Sequence, residues 1–197
     1  MTRRCVFITH PNVVISREVP VPRWPLSARG RERMRAGLAQ PWVREIGAVW
    51  CSTEQKAIDG AAILAAHCGL PYAMAEDLGE NDRSATGFLP PDEFERVADQ
   101  FFAEPHASVR GWETAAAAQA RIVAAVTRIA DAVQREPRAG ALAFVSHGAV
   151  GTLLWCHLAG EPISRARDQP ANGGGNWFAF DWPSRRVASW WQPIDAA

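Results

Sequence analysis

The sequence lacks a long apolar run and lacks an excess of charge of either sign. A membrane-spanning helix needs about 20 consecutive apolar residues, and no stretch of the 197 residues approaches that length. The 21 basic residues equal the 21 acidic ones, whereas a general nucleic-acid binder carries a basic surplus. The apolar segment that follows Arg3 and Arg4 is too short for the core of a signal peptide. We therefore expect a cytoplasmic protein that binds neither membranes nor nucleic acids.

Cysteine is scarce and irregularly spaced. The four cysteines are Cys5, Cys51, Cys68 and Cys156, and no two of them form the C-x-x-C spacing of a zinc or redox site. Cys68 and Cys156 each lie next to a histidine, but neighbouring residues of a helix point in different directions, so neither pair forms a metal-binding site. The sequence favours four reduced, buried thiols and predicts neither a metal nor a cofactor.

The hydrophobic pattern alternates short apolar runs with longer segments of helical periodicity. The runs predict strands at residues 5–9, 47–51, 72–75, 141–146, 177–182 and 186–191, the last two joined by a turn at Pro183 and Ser184. Helices are predicted within residues 25–40 with Ser27 as the cap, from a cap at Ser52 or Thr53 through residue 66, and at 92–102, 115–135 and 148–158.

Strands separated by helices predict an α/β protein, a three-layer α/β/α sandwich around a largely parallel, mixed sheet. No repeat or linker divides the chain, so we expect one domain over residues 1–197. Glycine and proline loosen the pattern at about residues 81–110, which indicates a variable insertion.

Three predicted strands end in polar or reactive residues. Ligands of open α/β sheets bind beyond the carboxyl ends of the strands. Here the first strand ends at Thr9 and His10, the second at Ser52, and the fourth at Ser146 and His147. A helix is predicted to begin directly after His147, and its free N–H groups would favour an anion. Two histidines at one sheet edge therefore indicate an anion-binding or catalytic site.

Five sequence blocks carry a resemblance to a known family. In chain order they are Phe7-Ile8-Thr9-His10, Pro25-Leu26-Ser27-Ala28-Arg29-Gly30, Ser52-x-x-x-Lys56-Ala57, Leu78-Gly79-Glu80 and Val145-Ser146-His147-Gly148. Together they cover most of the chain, from Val6 to about Leu158, and the sequence resembles the histidine phosphatase superfamily, also called phosphoglycerate mutase-like.

The resemblance implies a role for three residues. His10 would attack phosphorus and become phosphohistidine, His147 would hold phosphoryl oxygens, and Glu80 would protonate the leaving group. Neutral imidazole is a good nucleophile near neutral pH, and a carboxylic acid avoids the expulsion of a bare alkoxide. No metal is needed if the protein itself neutralises the phosphoryl charge.

The sequence departs from the family pattern at the phosphate-binding arginines. Thr9 and Pro11 replace the arginine and the glycine that flank the nucleophile, and Lys56 replaces a second arginine. Lys56 is the one lysine among the 21 basic residues. Lysine keeps the charge but loses the planar fork that grips two oxygens. We expect Lys56 to bind the phosphoryl group and Thr9 to supply one neutral hydroxyl donor.

Another arginine is needed to replace the missing charge. Arg83, three residues after Glu80, is expected to enter the pocket, with Arg17 as an alternative. The pattern then predicts a metal-independent phosphatase that transfers a phosphoryl group from a phosphomonoester, a small molecule or a phosphoprotein, to His10 and then to water.

Two other functions stay open at this point. One is a phosphate- or phosphoprotein-binding module whose catalysis is weakened by the arginine losses. The other is a phosphoglycerate mutase-type phosphotransferase, which would need more cationic groups than this sequence offers. The nine tryptophans include candidates for the wall of a substrate pocket or for the contact in a homodimer, so the oligomeric state is also open.

Overall fold

The computed structural model describes residues 2–136 and 140–196. These residues form one six-stranded sheet with the strand order β3-β2-β4-β1-β5-β6. The strands are β1 (Arg3–Thr9), β2 (Ile46–Cys51), β3 (Tyr72–Met74), β4 (Ala141–Ser146), β5 (Asn176–Trp182) and β6 (Gln192–Pro193). The helices are α1 (Ala28–Ala36), α2 (Gln55–Cys68), α3 (Pro91–Ala103), α4 (Ala115–Gln134) and α5 (Gly148–Ala159).

The sheet is mixed because two of its strands run against their neighbours. β1, β2, β3 and β4 pair in parallel, whereas β5 pairs antiparallel with β1 and with β6. All six residues of β4 are buried, which is typical of a parallel strand covered on both faces. The central position of β1 and β4 places their carboxyl ends side by side.

Helices cover both faces of the sheet. On one face, residues of α4 and α5 such as Ile122 and Leu153 pack against Phe7 and Phe144 of the central strands. On the other face, Leu64 of α2 and Met34 of α1 pack against the opposite side of the same strands. These two apolar layers confirm the predicted three-layer α/β/α sandwich with a mixed, largely parallel sheet.

Helix starts follow the sequence signals in some places and not in others. The Ser27 Oγ accepts the Gly30 N–H at 3.1 Å and caps α1, as predicted. The predicted helix α2 is present, but the predicted cap at Ser52 or Thr53 was wrong: the helix begins at Gln55 after Glu54, which makes no side-chain cap. The hydroxyl of Ser52 is engaged elsewhere, with a histidine ring.

The prediction of a last strand at residues 186–191 was also wrong. Within this stretch only Val187 forms an isolated bridge, to Phe180, and the strand that completes the sheet is β6, at Gln192–Pro193. The reason lies in the aromatic side chains, because Trp191 packs edge-on against Phe178 with ring centroids 4.8 Å apart. Such burial turns the chain inward before it rejoins the sheet.

The insertion predicted at about residues 81–110 contains one long helix, α3. Its buried residues include Val97 and Phe101, so one face of α3 joins the core beside α4. Across the described ranges, no helix is both long enough and apolar enough to cross a membrane.

Candidate active site

The carboxyl ends of β1 and β4 bring the two predicted histidines together. Thr9 pairs with Ser146 at the last position of the parallel ladder, and the His10 N–H donates to the Ser146 carbonyl at 3.0 Å. The rings of His10 and His147 meet edge to face, with centroids 5.3 Å apart and an interplanar angle of 67°. The sheet register thus creates the histidine pair.

The ring of His10 is held in one tautomer. Its Nδ1 lies 2.9 Å from the Pro11 carbonyl oxygen, and a carbonyl can only accept, so Nδ1 carries the proton. The lone pair is then on Nε2. Burial is the main reason that the pKa of His10 is lowered to about 4, with the nearby charge of Lys56 as the next cause. The ring is therefore neutral and nucleophilic at Nε2 near neutral pH.

His147 is fully buried and contacts Ser52 from the end of β2. The Ser52 Oγ lies 2.6 Å from His147 Nε2 and also accepts the Glu54 N–H at 3.3 Å. Burial lowers the pKa of His147 well below its usual value, so the ring is neutral. If the hydroxyl donates to Nε2, the ring proton is on Nδ1. Nδ1 is buried and has no hydrogen-bond partner among the described residues.

Glu80 lies at the N-terminus of α5. Its carboxylate accepts the Val150 N–H at 3.1 Å and the Ala149 N–H at 3.3 Å. These bonds and Arg83 favour the charged form, but burial outweighs them and raises the pKa of Glu80. A carboxyl group that keeps its proton to higher pH is suited to general acid catalysis.

The chain segment that carries Glu80 is fixed by an arginine of α4. Arg121 donates to the carbonyl oxygens of Asp77, Gly79 and Glu80 at 3.0–3.1 Å and is itself held by both carboxylate oxygens of Glu113. The helix therefore positions the Glu80 backbone through three carbonyl contacts.

Lys56 is buried, with 3% of its side chain exposed, and its ammonium faces the site. Its Nζ donates to the Val21 carbonyl at 3.0 Å and forms an ion pair with Glu54. Because Lys56 lowers the pKa of His10, its charge acts on the nucleophile. The phosphoryl-binding role expected for Lys56 stays a prediction, and the ammonium already has two partners.

Glu54 is the site residue that sequence reasoning missed. One carboxylate oxygen pairs with Lys56, and the other, Oε1, lies 3.4 Å from His147 Nε2 and accepts the Glu80 N–H at 2.9 Å. Although burial opposes ionisation, the ion pair with Lys56 and the hydrogen bond from the Glu80 N–H outweigh it and lower the pKa of Glu54 to about 2. From the sequence alone, a glutamate just before a helix is expected to lie in solvent. No local sequence signal therefore identifies Glu54 as part of the site.

Arg83 contacts two aromatic rings and faces the histidine pair. Its guanidinium lies 5.1 Å from the ring centre of Phe94 and 5.6 Å from that of Trp112. It lowers the pKa of His10, His147 and Glu80, so its charge reaches the site. Among the described residues it has no carboxylate partner. Arg17, the alternative, lies over Phe88 at 5.4 Å and is exposed.

Thr9 does not offer its hydroxyl to the gap between the histidines. Its Oγ1 donates to Gln169 Oε1 at 2.7 Å and accepts the Asn176 N–H at 3.0 Å. Because Thr9 is only 1% exposed, the hydroxyl expected to bind phosphate is enclosed by these partners.

A glycine-rich loop packs against the backbone of His10. The Gly175 N–H donates to the His10 carbonyl at 3.0 Å. A Cβ on Gly174 would lie 2.3 Å from that same carbonyl oxygen, and Gly174 has a φ of 76°. Only glycine allows both the close approach and this backbone conformation, so the loop positions His10.

No group of three or more potential metal ligands occurs among residues 2–136 and 140–196. The cavity beside the histidine pair is lined by residues including Trp50, Glu54, Glu80, Arg83 and Phe88. The site therefore combines two neutral histidines, two carboxyl groups, a paired lysine and an unpaired arginine.

Comparison with known proteins identifies the class. The chain matches the histidine phosphatase superfamily (branch 1) over residues 18–192, and it belongs to this superfamily. The predicted family is thereby confirmed. The matched segment begins after His10. None of the curated proteins matches the sequence.

Solved structures share the fold at low sequence identity. A mycobacterial glucosyl-3-phosphoglycerate phosphatase in complex with inorganic phosphate is 19% identical, with a TM-score of 0.78 over 99% of this chain and 100% of that one. YhfR of Bacillus stearothermophilus is 23% identical, with a TM-score of 0.74 and 94% of each chain covered. A putative alpha-ribazole-5'-P phosphatase of Escherichia coli is 20% identical, with a TM-score of 0.70, and covers 98% of this chain and 96% of that one.

Proposed function

We propose that this protein hydrolyses a phosphomonoester through a phosphohistidine at His10. The observation that carries the proposal is the hydrogen bond from His10 Nδ1 to the Pro11 carbonyl, at 2.9 Å. It leaves the Nε2 lone pair free and directs it into a site whose opposite wall is His147. A buried, neutral imidazole of this kind is a competent nucleophile.

In the first step, His10 Nε2 attacks phosphorus and the bond to the ester oxygen breaks. Glu80 donates its proton to that oxygen, so that an alcohol leaves. In the second step, the Glu80 carboxylate takes a proton from water, the hydroxide attacks phosphorus, and the P–N bond breaks to release phosphate and free His10. The raised pKa of Glu80 supports this double role.

Three groups stabilise the phosphoryl oxygens in this proposal. His147 donates from Nδ1, the buried nitrogen without a partner. Arg83 supplies the positive charge, since no carboxylate among the described residues pairs with it. Lys56 adds charge near His10, and Glu54 offsets part of it. The substrate is a phosphate ester of a small molecule or of a protein.

The test is the formation of a labelled phosphoenzyme. We expect the wild type to hydrolyse p-nitrophenyl phosphate and to trap radioactive phosphate in an acid-labile bond during turnover, and His10→Ala to lose both. His106→Ala removes an exposed histidine and should keep both. Equal turnover by the wild type and His10→Ala would refute the proposal.

A phosphate-binding module with weak catalysis is the second candidate. The ion pair between Glu54 and Lys56 favours it, because the charge that should stabilise the transition state is partly neutralised. Submillimolar affinity for inorganic phosphate, together with no turnover and no phosphoenzyme, would favour this candidate. Transfer of phosphate between positions of a sugar acid would instead indicate the mutase reaction.

A further inference from the structure

Gln169 lies between the two chain segments that carry the histidine pair. Its Oε1 accepts a hydrogen bond from Thr9, the residue before His10, at 2.7 Å. Its Nε2 lies against Gly148, the residue after His147: a Cβ built on Gly148 would be only 2.3 Å from that nitrogen. The carboxamide therefore spans the space between the ends of β1 and β4.

Two donors determine the orientation of this carboxamide. The Thr9 hydroxyl, at 2.7 Å, and the Asn176 Nδ2, at 2.8 Å, both donate to Gln169 Oε1, and this orientation of the carboxamide satisfies both donors. The NH2 group then faces Gly148 at the start of α5. No acceptor among the described residues receives a hydrogen bond from Nε2, so its N–H donors are available to a ligand.

We propose that Gln169 binds the phosphoryl group and so takes, with a neutral carboxamide, the role that an arginine at position 9 would have. Thr9, the residue before His10, anchors Gln169 through its hydroxyl. This inference rests on the proposed function, since it assigns a further substrate contact to the same site. A neutral donor contributes orientation and hydrogen bonding without adding charge.

Two substitutions at residue 169 separate phosphate binding from a purely structural role. Gln169→Glu keeps an oxygen that can accept from Thr9 and Asn176, but it replaces the NH2 donor by a second oxygen. Gln169→Ala removes both the accepting oxygen and the donating NH2 group. If Nε2 donates to phosphate, Gln169→Ala should raise the Kd of inorganic phosphate about tenfold to a hundredfold, and Gln169→Glu should raise it further because it repels the anion. If Gln169 only supports Thr9, the order is reversed, and the proposal is overturned.

Gly148→Ala supplies an independent test. The added methyl group would occupy the position of Gln169 Nε2 and displace it, while the backbone of Gly148, at the start of a helix, accepts alanine. We expect Gly148→Ala to weaken phosphate binding in the wild type and to have no further effect in Gln169→Ala, where the space is free. Additive effects of the two substitutions would contradict the inference.

Calorimetric titration with inorganic phosphate and the KM for p-nitrophenyl phosphate serve as readouts. Failure of the proposed function is seen in the wild type alone, as absence of both phosphoenzyme and phosphate binding. Failure of this inference is seen when the wild type passes those tests but Gln169→Ala and Gln169→Glu bind phosphate within about twofold of it. Thermal unfolding of each variant confirms that it is folded.

Discussion

At the scale of single residues, the site differs from the family pattern mainly in its positive charge. Thr9 is neutral, and Lys56 is paired with a carboxylate that also approaches His147. Under the proposed function, a phosphoryl group would therefore be bound by neutral donors and by Arg83. Charge-assisted hydrogen bonds are roughly twice as strong as neutral ones, so Glu54 controls how much of the lysine charge reaches the ligand.

Substitution of Glu54 tests this balance. Gln at position 54 keeps an oxygen for the Glu80 N–H but removes the negative charge beside Lys56. We expect Glu54→Gln to bind inorganic phosphate about tenfold more tightly and to lower the free energy of unfolding of the empty protein by about 1–3 kcal/mol, since Lys56 loses its charged partner. Glu76→Gln, an exposed change in the same cavity, is the control. Weaker phosphate binding by Glu54→Gln alone would contradict this account.

The sequence alone identified only some of the residues of the site. His10, His147 and Glu80 stand at strand ends or in a recognisable block, so their proximity could be predicted from the order of elements. Glu54 could not, because its importance depends on contacts with Lys56 and His147, and the latter is 93 positions further along the chain. Gln169 has the same property: it meets Thr9 across 160 positions of the sequence.

At the scale of elements, α4 holds the segment that carries Glu80, the proposed general acid, through Arg121. Arg121 binds three carbonyl oxygens in the segment that ends at Glu80, whereas Arg128, two turns further along the helix, binds only the side chain of Asp77. Both arginines lie on α4 beside the same segment, but Arg121 holds the backbone of that segment, whereas Arg128 holds a single side chain.

This difference predicts unequal kinetic effects. Arg121→Leu leaves three carbonyls without their donor and frees the Glu80 backbone, so kcat should fall at least about tenfold with a smaller change in KM. Arg128→Leu removes an exposed ion pair, which is worth little, and should leave kcat within about twofold. Steady-state kinetics with p-nitrophenyl phosphate compares them. Equal kcat values for the two variants would show that α4 does not position Glu80.

The elements themselves were largely predictable, and the exceptions have physical causes. β1 and β4 are continuous apolar runs buried on both faces, so their pattern is unambiguous. The segment before β6 ends in two tryptophans, which suggests a strand, yet these tryptophans pack against other aromatic rings instead of extending the ladder. Composition alone does not distinguish these two ways to bury an aromatic residue.

At the scale of the whole molecule, burial of the histidine pair couples folding to pH. The pKa of His10 is lowered to about 4 in the folded protein, whereas an unfolded chain gives a histidine a pKa near 6.5. Between these values the unfolded state binds a proton that the folded state does not, so stability falls as the pH decreases through this window. His147 acts in the same direction, and Glu80, whose pKa is raised, acts against it.

We therefore expect the free energy of unfolding to decrease from pH 7 to pH 5, with His10 alone responsible for about 2 kcal/mol of the decrease. Urea unfolding at several pH values measures the slope. In His10→Ala the decrease should be smaller by that amount, because the buried imidazole is gone, and in His106→Ala it should match the wild type. A slope unchanged by His10→Ala would mean that His10 has the same pKa in the folded and the unfolded protein, so that burial does not keep its ring neutral below about pH 6.5.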